Sequence, residues 1–193
     1  EGFGLTECGP NCFVMPTDEA PRRPGSVGWP VPFLEMRLAD GDGGEVAADE
    51  TGELLLRGPQ LFSGYFDDPA HTAEAVDADG WLHTGDLATR SSDGAYRICG
   101  RRKEMFISGG ENVYPGEVES VLIGHPAVAA VAVIGIPDRK WGEVGRAFVV
   151  ARTGASVVAE ELQRWARASL AGYKVPRVVT VIEALPTLGS GKV

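Results

Sequence analysis

The sequence predicts an α+β protein with two parts, a β-rich first part and a small α+β part built around its own central sheet. Short runs in the first half alternate apolar and polar residues between clusters of Gly, Pro and Asp, which is typical of antiparallel strands. In the second half, longer apolar runs alternate with amphipathic stretches of helical period. The pattern changes at Gly100 to Lys103. We therefore place one domain at 1–101, a hinge at 102–103 and a second domain at 104–193.

Four strands and one short helix are predicted in the first part. Phe33 to Leu38 alternates apolar and polar side chains, as a half-buried strand does, and a DGDGG turn cluster follows it. The remaining predicted elements are strands at 53–57, 81–87 and 96–99 and a helix at 72–76 with Thr72 as its cap.

In the second part, Pro115 is predicted to begin a helix, because a proline at the first helical position gives up no hydrogen bond. Three strands are predicted at 127–136, 144–150 and 178–182. Ser156 is the predicted cap of a second helix. One face of that helix would carry Leu162, Trp165, Ala166, Ser169 and Leu170.

The composition excludes several classes of partner. The formal net charge is −9 over 193 residues and the isoelectric point is near 4.8, whereas nucleic acids and anionic membranes require basic surfaces. No run approaches the ~20 apolar residues of a membrane span. The three cysteines are an odd number without metal-like spacing, which indicates a reducing, cytoplasmic setting.

The segment Phe3-Gly4-Leu5-Thr6-Glu7 is the first candidate site. A carboxylate beside a hydroxyl, after a glycine that permits a tight turn, can hold a metal ion and a phosphate oxygen together. Glu7 is therefore a candidate metal ligand and Thr6 a candidate phosphate contact. The alternative is a solvated loop, because most glutamates are exposed.

Asp86 and Arg101 are candidates for binding a sugar. An aspartate at the end of a strand, as in GWLHTGD, can accept hydrogen bonds from both hydroxyls of a ribose. Arg101 offers a planar fork of donors suited to ribose or phosphate oxygens. A turn-capping aspartate and a surface turn are the alternatives.

Two glycine-containing segments complete the set of candidates. Gly109 and Gly110, in MFISGGENVYP, permit close backbone approach by a thin ligand or a moving segment. Lys192, in LGSGKV, can swing onto a phosphate as a point charge, although its spacing is not that of a Walker A loop. A surface turn and a solvated lysine are the respective alternatives.

Taken together, five motifs resemble the acyl-activating (adenylate-forming, AMP-binding) enzyme superfamily, and most closely its acyl-CoA synthetase branch of fatty-acyl-CoA and aryl-CoA ligases. The resemblance extends over essentially the whole chain. The motifs, in order, are FGLTE at 3–7, GELLLRGPQLFSGYF at 52–66, GWLHTGD at 80–86, YRICGRRKEMFISGGENVYPGEVE at 96–119 and LPTLGSGKV at 185–193.

The resemblance implies an ATP-dependent acyl-CoA ligase. Such enzymes join a small-molecule carboxylic acid to AMP with Mg²⁺, release pyrophosphate and pass the acyl group to coenzyme A. The segment 1–101 would be the C-terminal portion of the large AMP-binding domain, with its β-barrel-like part, and 104–193 the small mobile domain.

The resemblance also implies residue roles. Thr6 would contact phosphate, Glu7 would bind Mg²⁺ and Lys192 would bridge the carboxylate and α-phosphate oxygens. Phe3 stands where the family usually has a tyrosine beside the adenine. The other implied roles are ribose binding by Asp86 and Arg101, a hinge at Lys103, a passage for the pantetheine arm along Ser108, Gly109 and Gly110, and CoA contacts from Trp141, Tyr173 and Lys174.

Two other functions stay open: a fatty-acyl-AMP ligase that loads a carrier protein, and a non-catalytic fragment that acts as a binding module. The family's phosphate loop and most of its acyl pocket lie upstream of FGLTE. We therefore expect the 193-residue chain to be unable to catalyse adenylation by itself. Fatty and aromatic acids both remain candidates, and the pattern indicates no oligomeric state.

Overall fold

A computed structural model describes residues 2–186 of the chain, so Lys192 lies outside the described residues. The chain divides into two compact units, residues 1–102 (unit 1) and residues 103–193 (unit 2). Both contain sheets with short helices, which confirms the predicted α+β class. Among the residues described, no helix is both long and apolar enough to cross a membrane. The hinge role of 102–103 stays a prediction.

Unit 1 contains two antiparallel sheets. In the larger one, four strands follow each other in sequence order, β3 (Glu35–Ala39), β4 (Thr51–Arg57), β5 (Leu82–Arg90) and β6 (Tyr96–Arg101). The smaller sheet pairs β1 (Phe13–Val14) with β2 (Trp29–Pro30).

The inner strand β4 sets the core of unit 1. Its residues Leu54, Leu55 and Leu56 are fully buried, so both faces of the strand are covered. Leu38 of β3 and Leu82 of β5 are also buried. β3 begins at Glu35 and not at the predicted Phe33, which has a φ of +68° and is 86% exposed. The buried cluster consists of Cys8, Cys12, Phe13, Val27, Leu34, Leu38, Leu54, Leu56, Leu82, Ala88 and Tyr96.

The first helix begins earlier than the sequence predicts. Helix α1 runs over Pro69–Ala75, and the Asp68 carboxylate caps it by accepting the His71 amide at 3.1 Å. Asp68-Pro69 is a strong start signal, since an aspartate caps well and a proline at the first position costs nothing. Thr72 is therefore inside the helix, and its hydroxyl donates to the Asp68 carbonyl at 2.8 Å.

Up to residue 186, unit 2 is built on one mixed sheet with two α-helices. Strand β10 (Gly142–Ala151) is its centre, because it pairs antiparallel with β9 along nearly its whole length, parallel with β11 and antiparallel with β7 at Gly142. The other elements are β7 (Phe106–Ser108), β8 (Glu111–Val113), α2 (Pro115–Leu122), β9 (Val128–Asp138), α3 (Ala159–Arg167) and β11 (Val178–Val181).

The helices of unit 2 agree with the sequence at α2 and differ at the start of α3. Helix α2 begins at Pro115 as predicted. Helix α3 begins at Ala159 without a side-chain cap, so the prediction of Ser156 as its cap is wrong. Leu162 and Ala166 of the predicted face are buried. Trp165 is half exposed, and its indole N–H donates to the Val121 carbonyl of α2 at 2.9 Å.

A half-buried carboxylate, that of Glu119 in α2, contacts β9. Glu119 accepts the Val133 backbone N–H at 2.8 Å. Burial raises the pKa of Glu119, and the hydrogen bond from Val133 opposes this only in part. The folded state therefore holds the Glu119 proton more tightly than the unfolded state does.

We expect Glu119→Gln to stabilise unit 2 at neutral pH. Below about pH 4, near the usual glutamate pKa of ~4.3, the carboxyl is protonated in both states and the substitution gains little. As the pH rises, the unfolded state ionises first, so the charged Glu119 costs stability that the neutral amide does not. Calorimetric melting of the chain from pH 4 to pH 8 checks this. The exposed Glu183→Gln serves as control, and a pH-independent difference would contradict the prediction.

Candidate functional site

The Phe3–Glu7 segment forms a closed turn. The Leu5 N–H donates to the Gly9 carbonyl at 3.1 Å, and the Cys8 N–H donates to the Leu5 carbonyl at 3.2 Å. Gly4 is required here, because a Cβ at this position would lie 2.2 Å from the Pro10 carbonyl oxygen. The turn leaves Thr6 exposed, where its hydroxyl is accessible to a ligand.

Tyr65 holds the side chain of Glu7. The Tyr65 hydroxyl donates to Glu7 Oε1 at 2.8 Å, and the Phe62 N–H donates to the Glu7 carbonyl at 2.7 Å. The hydrogen bond to Glu7 raises the pKa of Tyr65, because ionising the phenol would place a second negative charge beside the carboxylate. Tyr65 lies in the GELLLRGPQLFSGYF motif, but the sequence analysis gives it no role.

The Phe3 ring packs against the margin of the unit 1 core. It meets the Phe13 ring edge to face, with centroids 5.7 Å apart and planes inclined at 67°. Phe3 is half buried, so part of it remains accessible.

Asp86 and Arg101 are neighbours across the sheet. They lie opposite each other on β5 and β6, and Arg101 Nε is 3.6 Å from Asp86 Oδ1. The Asp86 side chain is 8% exposed, whereas that of Arg101 is 50% exposed. The register shifts just beyond the pair, between Leu87 and Ala88, where a bulge bends the strand. The Asp86 carboxylate therefore lies largely buried on β5 with the more exposed Arg101 guanidinium beside it. This arrangement can bind vicinal hydroxyls.

In unit 2, Gly109 and Gly110 form the two-residue turn of a hairpin that joins β7 to β8. Their φ angles are +64° and +89°, which is the left-handed backbone that such turns require. The Gly109 N–H donates to the Trp141 carbonyl at 2.8 Å. A Cβ on Gly109 would lie 2.7 Å from Trp141 Cε3, so the indole packs directly on bare backbone. Ser108 is buried beside this turn.

Two cations accompany the Trp141 indole. Lys140 Nζ is 4.7 Å and the Arg177 guanidinium carbon 5.2 Å from the ring centroid. The Asp138 carboxylate closes the loop that carries the tryptophan by accepting the amides of Lys140 and Trp141. An aromatic ring with two cations beside it suits a ligand that combines a ring with phosphates. Neither Lys140 nor Arg177 is among the candidates from sequence.

Lys174 is engaged within unit 2. Its Nζ lies 2.7 and 2.8 Å from the two carboxylate oxygens of Glu117 in α2. The pair ties the turn after α3 to the start of α2. This contact gives Lys174 a structural role in addition to the CoA contact that the resemblance implies.

Two family models match the chain. The model of the AMP-binding enzyme matches residues 1–66, and that of the AMP-binding enzyme C-terminal domain matches residues 117–192. The chain belongs to the AMP-binding enzyme family. Its relatives are in the acyl-CoA synthetase branch that the motifs indicate.

Curated relatives match the chain over its whole length. A feruloyl-CoA synthase of Amycolatopsis sp is 47% identical over 193 residues, which are 100% of the chain and 39% of that protein. A long-chain-fatty-acid–CoA ligase of Escherichia coli O157:H7 is 44% identical over 100% of the chain and 34% of its own length. The chain therefore spans well under half of the length of these relatives.

A solved structure supports the same relationship. The o-succinylbenzoate CoA synthetase of Bacillus subtilis, in complex with its acyl-adenylate intermediate, superposes with a TM-score of 0.92 at 36% identity. The match covers 99% of the chain and 39% of that enzyme. The Bacillus enzyme has also been solved with ATP and a magnesium ion.

The structure brings some of the AMP-binding family candidates into direct contact. Asp86 meets Arg101 in unit 1, and Gly109 meets Trp141 in unit 2. Lys103 begins unit 2. Within residues 2–186 no group of three or more side chains that could hold a metal ion exists. One carboxylate is enough for Mg²⁺ when phosphate oxygens and water supply the rest.

We expect Gly109→Ala to destabilise unit 2 more than Gly110→Ala does. Both substitutions place a side chain on left-handed backbone, which costs roughly 1–2 kcal/mol. Position 110 has open space, whereas the methyl group added at position 109 would also collide with the Trp141 ring. Urea unfolding of the two variants measures the difference. Equal losses of stability would mean that Trp141 does not pack on this turn.

We expect Tyr65→Phe to increase the Mg²⁺ concentration needed for half-maximal activity several-fold, because Glu7 loses the donor that orients it. Tyr65 is 40% exposed, so the melting temperature should change little. A Mg²⁺ titration of the full-length protein is the measurement. Phe66→Tyr, at the 98%-exposed neighbouring position, is the control. An unchanged Mg²⁺ dependence would remove Tyr65 from the site.

Proposed function

We propose that the protein containing this chain is an ATP-dependent acyl-CoA ligase, which converts a carboxylic acid, ATP and CoA to acyl-CoA, AMP and pyrophosphate through an acyl-adenylate. The 47% identity to a feruloyl-CoA synthase over the whole chain carries this proposal. The contacts of Asp86 with Arg101 and of Gly109 with Trp141 support it, because each joins two residues to which the resemblance assigns a shared ligand.

In the adenylation step, unit 1 binds the nucleotide. Asp86 accepts hydrogen bonds from the ribose hydroxyls, and Arg101 lies beside it. Phe3 contributes an aromatic surface near the adenine. Thr6 donates to a phosphate oxygen. Glu7, oriented by Tyr65, would hold a Mg²⁺ ion, which supplies charge neutralisation for the phosphates.

Lys192 completes the adenylation step in this proposal. Its ammonium group bridges the attacking carboxylate and the α-phosphate oxygens. The carboxylate oxygen attacks the α-phosphorus and pyrophosphate leaves. A positioned cation stabilises the negative charge that grows on the phosphate oxygens in the transition state.

In the thioester step, unit 2 receives CoA after a rotation at Lys103. The bare backbone of Gly109 and Gly110 lets the thin pantetheine arm pass, with Ser108 beside it. Trp141 and its two cations, Lys140 and Arg177, suit the aromatic and phosphate groups at the other end of CoA. The CoA thiol attacks the acyl carbonyl and AMP leaves.

The experiment expresses the full coding sequence that contains this chain. The protein is incubated with ATP, Mg²⁺, CoA and a panel of acids including ferulate, o-succinylbenzoate and long-chain fatty acids, and acyl-CoA is detected by mass spectrometry. We expect acyl-CoA from at least one class of acid. Lys192→Ala should reduce its formation by about 10²–10³-fold, the usual effect of removing one such stabilising group. The exposed Arg22→Ala is the matched loss of a cation, and full activity is expected.

The acceptor of the acyl group, free CoA or a carrier protein, distinguishes the acyl-CoA ligase from the fatty-acyl-AMP ligase. Accumulation of acyl-AMP at every CoA concentration would overturn the ligase proposal in favour of a protein that loads a carrier. No adenylate with any acid would favour a non-catalytic binding module. The isolated 193-residue chain should show no ATP–pyrophosphate exchange, and exchange by that chain would contradict the proposed division of the site.

A further inference from the structure

Unit 1 contains a buried carboxylate that the roles described so far do not use. Glu53 lies on β4, next to the fully buried Leu54, and is 8% exposed. A carboxylate in such a place is costly unless charged or polar groups surround it. Its partners therefore indicate what it does.

Glu53 has partners at two points of the sheet. Its Oε1 accepts the Gly85 backbone N–H at 3.2 Å, and its Oε2 lies 3.0 Å from Arg102 NH1. His83 Nδ1 is 3.7 Å from the same Oε2, and His83 Nε2 is 3.5 Å from Asp77. All of these residues belong to unit 1.

The two principal partners flank the Asp86–Arg101 pair. Gly85 directly precedes Asp86, and Arg102 directly follows Arg101. The Glu53 carboxylate thus contacts the backbone N–H of the residue before Asp86 and the guanidinium group of the residue after Arg101.

The pairing of β5 with β4 is irregular just before Asp86, where its register shifts between Glu53 and Leu55. Gly85 has a φ of +70°, so the strand leaves its extended conformation immediately before the carboxylate. Thr84 holds the Asp86 amide there: its hydroxyl accepts the Asp86 N–H at 3.0 Å and donates to the Leu54 carbonyl at 2.8 Å. The Gly85 amide relies on Glu53.

We propose that Glu53 is the positioning residue of the nucleotide site, which orients Asp86 and Arg101 toward the ribose by binding the Gly85 amide and the Arg102 guanidinium at once. This inference rests on the proposed function, since it concerns the same site. The Arg102 side chain is 61% exposed, so its ion pair with Glu53 contributes little to stability. The position of the pair beside two candidate ligand-binding side chains points to orientation.

Three variants of the full-length protein separate the contacts. Glu53→Ala removes both. Glu53→Gln keeps a neutral acceptor for the Gly85 amide and loses the charge opposite Arg102. Arg102→Met removes the ion pair from the other side and preserves most of the aliphatic length. We expect the KM for ATP to rise about tenfold in Glu53→Ala, the effect of losing one hydrogen bond to a charged group, and by less in the other two. The KM values for the acid and for CoA should stay within about twofold.

A matched control and a direct measurement complete the test. Glu45→Gln removes a carboxylate that pairs with Arg90 at 3.1 Å on the exposed part of the same unit, and it should leave the KM for ATP unchanged. Hydrogen exchange of the full-length protein measures the contact itself, because the Gly85 amide should exchange faster in Glu53→Ala than in the parent.

The outcomes distinguish the two proposals. A lower melting temperature in Glu53→Ala and Glu53→Gln with an unchanged KM for ATP would overturn the positioning role and leave a structural one. If the parent protein forms no acyl-CoA, the proposed function fails. The positioning role is then judged by Gly85 exchange and by ATP affinity in calorimetric titration. A normal ATP affinity in Glu53→Ala would overturn it there as well.

Discussion

Burial of the β4 strand on both faces is the constraint on which unit 1 depends. Three consecutive leucines, Leu54 to Leu56, have no exposed surface. A strand covered on both faces satisfies its backbone groups through two neighbours, and β3 and β5 provide them. The same burial draws Glu53 inward with the leucines. The Glu53 charge is then stabilised by the Gly85 N–H of β5 and by the Arg102 guanidinium after β6. Strand β4 thus contributes both to the apolar core and to the candidate site.

Unit 2 depends in a similar way on β10. This strand pairs with three others, so it receives β9, β11 and β7 from separate parts of the chain. The pairing at Gly142 places the short β7–β8 hairpin beside the loop that carries Trp141. A three-residue strand has too few hydrogen bonds to be stable alone, and its place is defined by the long strand it joins.

Local patterns predict most of the long elements, because their period and flanking turns are written in consecutive residues. They misplace the start of α1, since Asp68 and Thr72 are both acceptable caps and the choice depends on how the Thr72 hydroxyl is used. The strands β7 and β8 escape prediction because three residues show no period.

Motif spacing predicts the candidate residues one by one, but it does not predict their pairing. Asp86 and Arg101 become neighbours only through the register of β5 and β6. Tyr65 and Glu7 are 58 residues apart, and no pattern in the sequence joins them. The same holds for Glu53, whose contacts run to residues 32 and 49 positions away. Contacts of this kind are tertiary, and the comparisons with relatives supply the family but not the geometry.

The packing of Trp141 on Gly109 has a consequence for how such proteins diverge. The ring occupies the space that any larger residue at 109 would need. Substitutions at the two positions are therefore coupled. A residue larger than glycine fits at 109 only if position 141 already carries a smaller side chain than tryptophan. A substitution at Gly109 alone would begin from a position that the indole has already closed.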